Sequence, residues 1–129
     1  MLAAIDQRDH EHARCAELLG GAREPRVIPA PVLVELDYFL TRSFGPDPMR
    51  RVLDDVKAGA YNIEPVIAED YDRVGELMTT YSDQRIGFVD ACVLAIVERL
   101  HEPKLATLDH RHFALMRPRH AKALDLLPT

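Results

Sequence analysis

Apolar positions recur in short bursts separated by Gly- and Pro-bearing turns, and the period of each burst predicts its backbone. In residues 10–20 (HEHARCAELLG), Ala13, Cys15, Leu18 and Leu19 fall at helical spacing, with Asp9 as N-cap and Gly20-Gly21 as the stop. Residues 26–30 (RVIPA) predict a short buried strand. Pro31 opens a helix over 31–44 with Val32, Leu36, Phe39 and Leu40 on one stripe, and Gly45 ends it. Asp47-Pro48 starts a helix that carries Val52 and Val56 and runs to Gly59. A strand over 61–64 is stopped by Pro65, and a helix over 69–81 turns Val74, Leu77 and Met78 inward. The turn-rich SDQRIG then leads to the most apolar helix, 88–100. A strand over 104–108, a short helix around 113–116 and a strand over 124–127 complete the pattern.

Strands alternating with helices of this length predict an α/β fold, a three-layer sandwich in which helices flank a mainly parallel central sheet. At 129 residues the chain is one domain, residues 1–129, and its 47% hydrophobic and 29% charged residues exclude a disordered or fibrous polypeptide. Cys15 and Cys92 both lie in apolar runs and read as reduced core thiols. No apolar stretch is long enough to span a membrane, so the expectation is a soluble, cytoplasmic protein. The net charge of −5 argues against a wholly basic nucleic-acid surface. Between Asp109 and Lys122, however, Arg111, Arg117, Arg119 and three histidines accompany Lys122, a local footprint for a polyanion or simply a solvated face.

Three acids stand in unusual places. Glu35 borders the apolar stripe of its helix instead of facing water; a pairing with Arg42 or Arg85 is its ordinary explanation. Asp90 lies in the first turn of the most apolar helix, where the dipole favours a carboxylate in any case. Asp109 ends the strand LATLD, where an Asx turn or helix cap would also place it. Together they change the picture, because strand carboxyl ends and helix amino ends converge on one edge of such a sheet. Three carboxylates gathered there repel each other unless a hard divalent cation sits among them, and oxygen-only donors suit Mg²⁺ or Mn²⁺. A cation with a polyanionic substrate suits phosphodiester hydrolysis. Arg85 either pairs with the acids or holds a phosphate. An acidic phosphoacceptor pocket lacks a suitably placed lysine.

The segments PVLVELDYFL, DQRIGFVDACVLAIVERL and LATLDHRHF, in this order, resemble PIN-domain proteins, most closely VapC-type toxin ribonucleases. The resemblance implies a PIN-like sandwich and an endoribonuclease in which Glu35, Asp90 and Asp109 hold Mg²⁺ or Mn²⁺ and carry the catalysis. It matches Thr107 to a hydroxyl residue near the last acid, and it implies a homodimer inhibited by a cognate VapB-type antitoxin. Arg85, Thr107, Arg111, Arg117 and Arg119 are the expected RNA contacts. In one respect the chain departs from the pattern. The family opens with a strand ending in a first metal-binding aspartate, whereas this sequence begins MLAAID, so that strand and aspartate are expected to be missing, and Asp6 does not replace the latter. The alternative is therefore a catalytically inactive PIN-like module that dimerises and binds an antitoxin or RNA.

Overall fold

The structure is a computed structural model and describes residues 26–106, 110–120 and 125–127. Strand β1 (Val27–Pro29) leads directly into helix α1 (Ala30–Phe44), with Pro31 in the first turn, where its missing N–H costs nothing. Gly45 ends α1 at φ 80°, a left-handed conformation suited to glycine, and its N–H bonds the Thr41 carbonyl at 3.0 Å. Helix α2 (Asp47–Lys57) packs back on α1, and Leu36, Leu40 and Val52 form a small core between the two. Strand β2 (Asn62–Glu64) pairs in parallel with β1, Ile28 opposite Ile63. Helix α3 (Ala68–Thr80) and helix α4 (Phe88–Arg99) follow, joined through a 3-10 turn at Ser82–Gln84. Strand β3 (Lys104–Ala106), helix α5 (His110–Leu115) and strand β4 (Asp125–Leu127) close the order, with β3 and β4 again parallel.

Both strand pairs described are parallel, each joined by a helical connection, as the alternating pattern predicts. Helix α4 is the centre of the fold: residues 91–98 are buried on every side, which is why its sequence is apolar all round and not striped. It packs against α3, α1, α5 and β1. Leu94 is fully buried and Ile96 nearly so, each contributing about 1.5–3 kcal/mol of hydrophobic stabilisation. Phe113 and Met116 join the same core from α5 and the turn behind it. Cys92 is a buried free thiol, as expected; Cys15 and the helix over 10–20 lie outside the described residues. So does the stretch on which the expectation of a missing first strand rests.

Two expectations require correction. Met78 does not face inward but is 39% exposed, because the buried positions of α3 are Asp70, Val74 and Leu77, and position 78 lies a further 100° round the helix. The short helix spans His110–Leu115 and not 113–116, so Phe113 packs from its last turn and Met116 from just beyond its end. Among the described residues no helix is long and apolar enough to cross a membrane.

Candidate active site

The backbone between α3 and α4 sets the position of Asp90. The Gln84 N–H bonds the Tyr81 carbonyl at 3.0 Å and the Arg85 N–H bonds that of Ser82 at 3.3 Å, tightening the turn. Arg85 then adopts φ 56°, a left-handed conformation that costs a non-glycine residue about 1 kcal/mol. The reversal delivers Ile86, 5% exposed, into the core and leaves Gly87 as the N-cap of α4, its carbonyl accepting from the Ala91 N–H at 3.0 Å. Asp90 is therefore in the first turn of α4 and half-buried, where a carboxylate complements the helix dipole.

Glu35 rides on α1, which packs directly against α4, so two of the three predicted acids stand on adjoining helices. The expectation that Glu35 borders the apolar stripe instead of facing water is corrected: the residue is exposed. The buried face of α1 is defined by Leu36 and Leu40, and position 35 lies about 100° away from it. Glu35 thus pays no burial cost that a partner must offset. Asp109 and Thr107 lie outside the described residues, and Arg111 falls within α5.

The other predicted basic residues have separate surroundings. Arg85 is exposed on the turn just before α4. Arg117 is exposed, its backbone N–H donating to the Tyr81 hydroxyl at 2.8 Å and its carbonyl accepting from Arg73 at 3.4 Å. Arg119 is tied to the far end of α4: its N–H donates to Glu98 Oε2 at 2.7 Å, and its guanidinium pairs with Glu76. Glu98 is eight residues beyond Asp90, about 12 Å along the helix axis at 1.5 Å per residue, so Arg119 and Asp90 do not converge.

That far end carries a set of buried charges that reading the sequence missed. Glu98 accepts from Arg73 through Nε at 2.7 Å and Nη2 at 2.9 Å. Next to it, Arg99 donates through Nε to both oxygens of Asp70 and through Nη1 to Glu64 at 2.7 Å. Asp70 also accepts from the Ile67 N–H at 3.0 Å, closing the first turn of α3. Hydrogen bonding to Glu98 raises the Arg73 pKa against the opposing effect of burial, and Asp70 does the same for Arg99. The signal was present: an acid–base pair three apart on α3 and an acid–base dipeptide ending an otherwise apolar α4.

Glu35 and Asp90 offer oxygen donors only, which suits a hard divalent cation and not zinc. Among the described residues no three His, Cys, Asp or Glu groups gather as metal ligands, and the third predicted acid is not among those residues.

The profile of the PIN domain matches residues 1–118. The chain is 30% identical over 128 residues to Ribonuclease VapC26 of Mycobacterium tuberculosis, covering 99% of this chain and 95% of that protein. Its fold superposes on the sarcin-ricin loop cleaving toxin VapC20 of M. tuberculosis with a TM-score of 0.72 at 19% identity, over 79% of this chain and 78% of that one. It also superposes on VapBC2 from Rickettsia felis, solved bound to a promoter DNA fragment, with a TM-score of 0.66 at 23% identity over 97% and 90% of the two chains.

Proposed function

The chain belongs to the PIN-domain family, with relatives among the VapC-type ribonuclease toxins, and from this premise we propose that it is a metal-dependent endoribonuclease toxin neutralised by a VapB-type antitoxin. The observation that carries the reading is the half-buried Asp90 in the first turn of the central helix, with Glu35 on the helix packed beside it, in a chain alike over its full length to a named ribonuclease. Glu35, Asp90 and Asp109 are the residues that would hold Mg²⁺ or Mn²⁺. When bound, the cation supplies activation of water and neutralises charge developing on the phosphate.

The chain's own contribution is placement. Helix α4 is buried from Ala91 to Glu98, so the carboxylate at its start sits on a rigid element. Arg85, Arg111 and Arg117, with Thr107, are the residues assigned to the RNA; Arg119 shares its guanidinium with Glu76. Their pull on the backbone makes affinity fall as salt rises. The antitoxin assignment draws support from the toxin–antitoxin assembly of R. felis, and we assign the chain a homodimeric state on the family likeness.

The test is cleavage of a mixed pool of structured RNAs with Mn²⁺ or Mg²⁺, beside the Asp90→Asn variant and a chelator control. Cutting that needs the cation and is lost in the variant is expected. Equal cutting by both proteins, or none by either, overturns the enzyme reading and leaves a binding module.

A further inference from the structure

The nuclease reading leaves Phe88 without a purpose. It opens the most buried of the described helices, yet it is 48% exposed, whereas residues 91–98 of the same helix are buried. Of the apolar residues that follow the left-handed Arg85, Ile86 is in the core and Val89 packs partly against it. The largest of the three is the one turned to water. Burying a phenyl group stabilises a fold, and much of that gain is forgone here. A polar residue would open the helix equally well.

The neighbourhood indicates what the ring meets. Phe88 is two residues from Asp90, and the helix is about 10 Å across with its side chains, so ring and carboxylate flank one helix end. Arg85, three residues upstream, is exposed. An aromatic face together with a guanidinium is the combination that holds single-stranded nucleic acid, the ring taking a base and the cation a phosphate. The exposed residues that precede it in the chain, Ser82, Asp83, Gln84 and Gly87, are polar or small. Among the described residues Phe88 stacks on no other ring.

We propose that Phe88 is a base-stacking residue: it seats an unpaired RNA base within a nucleotide or two of the phosphate to be cut, with Arg85 on the adjoining backbone. The inference rests on the nuclease reading and adds the site that selects unpaired RNA.

The sequence contains no tryptophan, so Phe88→Trp introduces a single fluorescent reporter at the site. In an Asp90→Asn background, a single-stranded oligoribonucleotide should quench the new indole over the same concentrations at which anisotropy of a labelled strand reports binding. Inorganic polyphosphate, an anion without bases, should not quench it. Phe88→Ala should weaken RNA binding by about 5- to 100-fold. Its melting temperature should stay near that of the parent, and Phe88→Leu should not restore affinity. RNA that binds and is cut while the indole stays unquenched, or unchanged affinity in Phe88→Ala, overturns this inference and leaves the nuclease reading intact. Quenching by a protein partner but not by RNA overturns it in favour of protein docking. Absence of both RNA binding and cleavage in the parent protein overturns both readings.

Discussion

Replacing Arg73 with alanine removes two charge-assisted hydrogen bonds from a carboxylate that is only 8% exposed. Glu98 would keep one backbone donor, the Arg119 N–H, and would otherwise stay buried near the end of α4. Breaking a buried ion pair by removing one partner costs about 3–5 kcal/mol, because the surviving charge loses its compensation. The remaining donor and the 17% exposure of Arg73 place this case at the lower end, about 3 kcal/mol. With an unfolding entropy of about 2.1 cal/mol/K per residue, that loss lowers Tm by roughly 10 °C. The sign with pH is simple: the Arg73 pKa is raised in the fold, so its contribution is complete at every pH below the ordinary guanidinium range and is undiminished at neutrality. Urea unfolding at pH 7 measures the loss, with Arg50→Ala as the control. Arg50 pairs with Asp47, but both side chains are about 70% exposed, so that change should cost about 1 kcal/mol or less. The double change Arg73→Leu with Glu98→Leu should recover at least half of the single loss, since apolar groups replace a buried pair at little net cost. An Arg73→Ala variant no less stable than Arg50→Ala would refute this reasoning.

Other expectations follow from the same structure. Arg85→Gly relieves a left-handed backbone but enlarges the freedom of the unfolded chain; the balance should leave stability within about 1 kcal/mol of the parent, measured by urea unfolding. Gly45→Ala, at φ 80° with open space around its Cα, should cost about 1 kcal/mol through the backbone alone in the same assay. Burial, and secondarily the charge of Asp70, push the Cys92 thiol up from its ordinary 9.0. The unfolded chain therefore loses the thiol proton first, so this contribution is full below that value and declines as pH rises through it; Cys92→Ala should flatten that part of the stability–pH curve. In native protein Cys92 should resist alkylation by iodoacetamide until urea unfolds the chain.

The features legible in the sequence are those with local causes. Pro31 and Pro48 mark helix starts, Gly45 marks a stop, and the 36/40 spacing identifies the buried side of α1. Asp90 at the head of the central helix was likewise readable, because its first-turn position follows from Gly87 and the apolar run behind it. The orientation of Glu35 was not. A stripe read from four apolar residues is wider than the two that are buried, and an acid at its margin faces water. The Asp70–Arg99 and Arg73–Glu98 pairs were hidden for a different reason: charges three apart on one helix look like a solvated face until the facing helix is known. Together they lock the register of α3 on α4, since a one-residue slip would set like charges against each other. Phe88 was hidden by the apolar run that it opens, where periodicity does not distinguish a buried ring from an exposed one.

The chemistry of the product ends tests the central claim most directly. RNA cut by the full chain in Mn²⁺ should carry only linear phosphate and hydroxyl ends, with no 2′,3′-cyclic phosphate, because water and not the neighbouring 2′-hydroxyl attacks phosphorus. The yield should vanish with chelator and with Asp90→Asn. Cyclic phosphate ends formed equally in chelator would contradict the account, because they would place the chemistry on the RNA's own hydroxyl and leave Asp90 and the cation without a part in it.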